Sequence, residues 1–192
     1  MLESLQQIDT NIFLYLNGLH SSFFDMVMWW ASNRFIWVPL YVGILWLLIR
    51  QNPGGVLLLL LMIFLLIVLS DQSANLAKFG FARLRPSNEP SLQGLVYLVQ
   101  NYSGGKYGFY SAHASSSFAV AVFVISLAGA RNKWLIPLML SYAILVSYSR
   151  IYLGVHYPSD VLVGALIGAI YGFALSRLYF YSVRRSAKKT KV

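Results

Sequence analysis

Seven residues in three short runs could do chemistry together. "KFGFARLRP" supplies Lys78 and Arg85, "YSAH" supplies Ser111 and His113, and "SRIYLGVHYPSD" supplies Arg150, His156 and Asp160. Lys78, Arg85 and Arg150 offer positive charge and forked donors for phosphate oxygens. Asp160 can accept a proton from one ring nitrogen of His156, leaving the other lone pair free to attack phosphorus. His113 can protonate the departing oxygen, because a histidine ordinarily titrates near neutral pH. In-line phosphoryl transfer asks mainly for positioning and charge neutralisation, which three cations can supply without a metal. The three histidines and six carboxylates are scattered along the chain, so no metal cluster and no cofactor is expected.

Spacing suggests how these groups are carried. Lys78 and Arg85 stand seven residues apart, so a continuous helix would put both on one face. Ser111 to His113 open an apolar stretch, where free N–H groups and the helix dipole favour an anion. Arg150 closes the next stretch, and His156 and Asp160 lie four apart where another begins. Arg83 belongs to the basic cluster but falls outside the spacing. It reads as a loop contact and, with Lys106, as a candidate substrate contact. Lys106 sits in "NYSGGKYGFYSAH", which reads either as a lid or as an ordinary turn before a helix. Asp71 reads either as part of a polar network under the site or as a helix contact.

Lys78-x6-Arg85-Pro86, Ser111-Ala112-His113 and Ser149-Arg150-x5-His156-x3-Asp160 resemble the three signatures of the type 2 phosphatidic acid phosphatases, the PAP2 superfamily. The likeness covers roughly residues 70–165. It implies a membrane-integral lipid phosphatase in which His156 forms a phosphohistidine, Asp160 orients it and His113 is the general acid. Lys78, Arg85, Ser111 and Arg150 would then bind the phosphate. The second signature departs from the family's usual Pro-Ser-Gly-His, with Tyr110 and Ala112 in place of proline and glycine. Alanine requires a turn that tolerates a Cβ.

The elements that must position these residues are apolar helices. With 58% hydrophobic and 11% charged residues, the 192-residue chain reads as one all-α domain embedded in a membrane. Spans are expected at 35–49, 55–77, 113–130, 134–154 and 159–181. The first of them would rise only about 22 Å against a hydrocarbon core of ~30 Å, so Arg34 is expected to snorkel. Residues 1–33 read as two short interfacial helices broken at "NGLHSS". The acidic start lacks the basic region of a secretory signal, so no cleaved leader is expected.

The net charge of +9 points to a membrane surface rather than nucleic acid, because many of the basic residues sit in the tail 182–192. Five spans place Arg50, Arg131, Lys133 and that tail on one side. The positive-inside rule makes this side cytoplasmic and turns the N-terminus and the site outward, in a bacterial cytoplasmic membrane. Gly164, Gly168 and Gly172 form a small-residue face suited to close packing inside the monomer.

An anion transporter would carry polar side chains through the inner half of its spans, but here those are mostly Leu, Ile, Val and Ala. A non-catalytic lipid-binding homologue would not need both histidines and Asp160. The expected substrate is undecaprenyl diphosphate, whose prenyl chain can lie along the spans. Lipid A and phosphatidylglycerophosphate are the alternatives.

Overall fold

The structure, a computed structural model, describes residues 2–189. The last three residues of the basic tail lie outside them. The helices are α1 (Leu2–Gly18), α2 (Ser22–Ser32), α3 (Val38–Gln51), α4 (Val56–Phe81), α5 (Ala112–Ala128), α6 (Leu135–Tyr152) and α7 (Pro158–Lys189). Among the described residues there is no strand, only an isolated bridge between Leu84 and Tyr107. The architecture is all-α and membrane-integral. Four helical stretches, 34–51, 53–81, 135–152 and 158–186, are long and apolar enough to cross a membrane.

The fifth expected span is α5, which has 17 residues. It rises about 26 Å, short of the ~30 Å hydrocarbon core. It can be short because it is the central helix, packed by α4, α6 and α7. Lipid offers little hydrophobic force between helices, so close approach has to come from small side chains. Accordingly, α5 buries Ala114, Ser115, Ser117, Ala119 and Ala121. Gly164, Gly168 and Gly172 on α7 complete the joint. A methyl group on any of them would overlap the carbonyl oxygen of Ser111, Ser115 or Ala119 respectively. The glycine face is therefore spent inside the monomer.

The N-terminal segment forms two helices, broken at residues 19–21, and they dock on the end of α6. Asn17 donates to the carbonyl of Tyr97 (3.0 Å) and to that of Tyr152 (2.8 Å), an acceptor that the end of α6 leaves free. Asp25 accepts from the hydroxyls of Tyr97 and Tyr152, each at 2.6 Å. Gly154 then turns the chain with a φ of +76°, against Val96 and Leu98 where a Cβ would collide.

One helical expectation fails. Lys78 lies on α4 but Arg85 does not, because Ala82 adopts a left-handed conformation and its N–H closes the helix on the Lys78 carbonyl at 3.0 Å. Residues 83–85 run instead beside 106–108. The Arg85 N–H donates to the Lys106 carbonyl (3.2 Å), and the Gly108 N–H donates to the Arg83 carbonyl (2.9 Å).

Helix alternation gathers the important ends. The C-termini of α4 and α6 and the N-termini of α5 and α7 share one end of the bundle. Arg50, Lys133, Arg184 and Arg185 fall towards the other.

Candidate active site

α7 begins with a proline at its first position, Pro158. At the third position the Asp160 carboxylate reaches back, its Oδ2 accepting the Tyr157 N–H at 3.0 Å, as the acidic half of a capping box does. The same Oδ2 lies 3.5 Å from His156 Nδ1. Both side chains are buried, and among the described residues Nδ1 makes no hydrogen bond, the carboxylate lying near it without the alignment of one. Nδ1 is the ring nitrogen nearest the carboxylate, and the Gly108 backbone also interacts with the ring.

Ser111 caps α5, its hydroxyl accepting the Ala114 N–H at 3.4 Å. Its own N–H donates to the Asp160 carbonyl at 3.0 Å. This clasp fixes the start of α5 on the start of α7 and leaves the hydroxyl proton as the remaining donor of Ser111. Ala112 is the first residue of α5, so the helical turn tolerates its Cβ. Tyr110 is buried and anchored by its hydroxyl, which donates to Ser73 Oγ on α4 at 2.7 Å. A side-chain anchor stands where the family's usual motif has proline.

Three cations surround the histidines. Arg85 is buried. Its Nε donates to the Tyr107 carbonyl (3.0 Å) and its Nη1 to that of Val155 (3.4 Å). Gly104, at φ +66°, lies so close to Arg85 Nη1 that a Cβ would strike it. The glycine-bearing segment is thus packed onto the site rather than standing off it. Arg150, also buried, donates to Ser32 Oγ and, at 3.4 Å, to the Tyr102 hydroxyl, while its Nε is unpartnered among the described residues. Lys78 is half-buried, with Nζ 3.5 Å from Asn75 Oδ1.

Among the described residues none of these three cations has a carboxylate within ion-pair distance, whereas Arg83 and Arg34 do. Their positive field has one clear consequence. Burial first, then Arg85, Arg150 and Lys78, hold His156 well below its ordinary pKa, so the ring is neutral and can act as a nucleophile. His113 lies within the field of Arg150, Lys78 and Arg34 and close to His156.

Three further charged residues flank these groups. Arg83 pairs with Asp9 (2.7 Å) and Asp160 (2.8 Å) and lies over the Tyr157 ring. Lys106 is exposed and lies over the ring of Tyr107 at 5.4 Å. Asp71 is joined to Lys78 by a short polar chain, its Oδ2 accepting from Asn75 Nδ2 at 3.4 Å and Asn75 Oδ1 accepting from Lys78 Nζ at 3.5 Å. It is partly exposed and pairs with Arg34 at 3.8 Å.

Arg34 was missed as a site residue. With Asp71, Trp37, Tyr142 and Val146 it lines a cavity of about 230 Å³ that reaches His113. The signal that could have found it is a lone arginine at the end of an apolar run, which snorkelling explained too cheaply.

The sequence model of the PAP2 superfamily matches residues 54–184. A lipid A 4'-phosphatase of Bacteroides thetaiotaomicron is 40% identical over 191 residues, covering 98% of this chain and 83% of that protein. An undecaprenyl-diphosphatase of Sulfolobus acidocaldarius is 30% identical over 173 residues, covering 90% and 75%. The crystal structure of Aquifex aeolicus LpxE superposes with a TM-score of 0.68 at 27% identity, covering 88% of this chain and 94% of that one.

Proposed function

The chain belongs to the PAP2 superfamily and is a bacterial membrane lipid phosphatase; on that premise we propose that it removes a terminal phosphate from lipid A through a phosphohistidine on His156. The observation that carries the mechanism is the buried His156 beside Asp160, set among Lys78, Arg85 and Arg150, none of which has a carboxylate within ion-pair distance among the described residues. Lipid A replaces undecaprenyl diphosphate as the preferred substrate, because the 40% relative along nearly the whole chain is a lipid A 4'-phosphatase and the prenyl diphosphatase stands at 30%.

In the first step His156 Nε2 attacks phosphorus and the bond from phosphorus to the lipid oxygen breaks. His113, protonated once the bound phosphate's negative charge offsets the surrounding cations, gives its proton to that oxygen, releasing the lipid alcohol. Lys78, Arg85 and Arg150, with the Ser111 hydroxyl, hold the three phosphate oxygens and neutralise the charge they gather. In the second step water attacks the phosphohistidine, His113 takes its proton, and the phosphorus–nitrogen bond breaks to release inorganic phosphate. The lipid leaves from the His113 side, where the cavity bearing Arg34 lies.

The segregation of charge supports an outward site. Arg50, Lys133, Arg184 and Arg185 lie towards the end opposite the histidines, and that end is cytoplasmic by the positive-inside rule.

Phosphate release from lipid A, undecaprenyl diphosphate and phosphatidylglycerophosphate, measured side by side in one detergent, tests the substrate. Lipid A should have the highest kcat/KM. A prenyl constant tenfold above it, about 1.4 kcal/mol in transition-state binding, would restore undecaprenyl diphosphate as the substrate.

A further inference from the structure

Arg83 and its partners extend the site into α1, outside residues 54–184 that the family's sequence model matches. We propose that Asp9 and Arg83 are positioning residues that set the carboxylate of Asp160 against His156, making α1 a working part of the active site. This inference rests on the phosphatase reading.

The two oxygens of Asp160 have different holders. Oδ2 accepts the Tyr157 N–H and faces His156, while Oδ1 accepts from Arg83 Nη1 at 2.8 Å. One backbone N–H holds a single oxygen and leaves the carboxylate free to swing about it. The second bond fixes the carboxylate plane and so decides how Oδ2 meets the ring. Asp160 is fully buried, and its charge needs a cationic partner there.

Arg83 is itself a long, flexible side chain, and it is held from several directions. Nη2 donates to Asp9 Oδ2 at 2.7 Å, Nη1 also donates to Ser159 Oγ at 2.7 Å, and the guanidinium carbon lies 4.1 Å from the centre of the Tyr157 ring. Asp9 is fixed in turn, because its Oδ1 accepts the Ser159 N–H at 2.9 Å and its Oδ2 accepts the Ser159 hydroxyl. A carboxylate on α1 thereby clamps the first turn of α7 and the arginine that holds Asp160. The side chains of Asp9 and Arg83 are 11% and 27% exposed, so the chain of contacts is largely shielded from water.

A merely structural role would staple α1 to α7 and leave the chemistry of each folded molecule unchanged. The test is a double-mutant cycle between Asp9→Asn and Asp160→Asn, read as phosphate release by the purified full chain in detergent. Lipid A and dioctanoyl phosphatidic acid serve as substrates, with the folded fraction measured by gel filtration. Asp9→Asn should lower kcat about tenfold with KM within twofold, because positioning is worth that much when the substrate is bound equally well. In the Asp160→Asn background the same substitution should cost less than twofold, since nothing remains to be positioned.

Arg83→Lys keeps the buried charge but not the fork. It should fold and show the same loss of kcat, which keeps the proposal testable if Asp9→Asn fails to fold. A full tenfold loss from Asp9→Asn in both backgrounds, or wild-type kcat in both Asp9→Asn and Arg83→Lys, overturns the positioning role. Failure of the wild-type protein to release phosphate from either lipid overturns the phosphatase reading instead.

Discussion

His156 Nδ1 stands 3.5 Å from Asp160 Oδ2, across one turn of chain, with the two side chains 2% and 0% exposed. A neutral imidazole whose Nδ1 faces a buried carboxylate is held in the tautomer that leaves Nε2 to attack. Replacing Asp160 by Asn keeps the shape and removes the preference for that tautomer. Asp160→Asn should therefore lower kcat by on the order of 10²–10⁴ with little change in KM. Steady-state kinetics on lipid A check this, and a loss confined to KM would contradict it.

Acid should inactivate the enzyme late. Burial and the cations Arg85, Arg150 and Lys78 hold His156 below its ordinary value of 6.5. A depressed folded-state pKa means that its contribution to stability is complete above about 6.5 and is lost as pH falls from there towards the folded value. The acid limb of kcat/KM that belongs to His156 should thus lie below 6.5, and Arg85→Gln should move it upward while lowering the rate. An acid limb at or above 6.5 in the wild type, left in place by Arg85→Gln, would count against this assignment.

Arg34 should serve the departing lipid rather than the phosphate under attack. Its side chain is 66% exposed, pairs with Asp71 at 3.8 Å and lines the cavity that reaches His113. An exposed pair at that distance contributes about 0–1 kcal/mol, so a ligand can displace Asp71 cheaply. Arg34→Gln should raise KM for lipid A three- to tenfold, roughly 0.7–1.4 kcal/mol, with kcat within twofold. Equal KM values for wild type and variant would remove Arg34 from the site.

The α5–α7 joint should tolerate no added methyl group. At Gly168 a Cβ would overlap the Ser115 carbonyl, and the obstacle is backbone rather than a flexible side chain. Gly168→Ala should cost about 1–3 kcal/mol or more through overpacking. Because Ser111 and Asp160 are clasped at the head of the same joint, activity should fall with it. Thermal unfolding in detergent measures the loss, and an unchanged midpoint would mean that the helices are held apart.

The motif residues were legible because their types and spacings are local. Helix alternation then brings the three runs to one end of the bundle without further information. The course of the chain between Lys78 and Arg85 was not legible. "FGFARLRP" has a glycine inside the helix and a proline beyond its end, while the stop itself is the left-handed Ala82, after which residues 83 and 85 pair with 108 and 106. Arg83 was legible only as a candidate substrate contact, and its pairing with Asp9 escaped for a related reason. The two are 74 residues apart, and their meaning appears only when α1 lies beside the first turn of α7. Spacing can reveal a motif that shares a helix turn, but not a carboxylate delivered from another helix. Tyr110 shows the same limit, since its hydroxyl finds Ser73 on α4 rather than any neighbour in the second motif.

The most direct measurement of the mechanism is to trap the covalent intermediate. Purified protein is mixed with lipid A carrying radiolabelled phosphate, quenched in alkali within the first turnover, and examined for label on the protein. Wild-type protein should carry label that is stable to alkali and labile to acid, as a phosphorus–nitrogen bond is, and His156→Ala should carry none while still folding. Label that persists on His156→Ala, or phosphate release by that variant at the wild-type rate, would contradict the account.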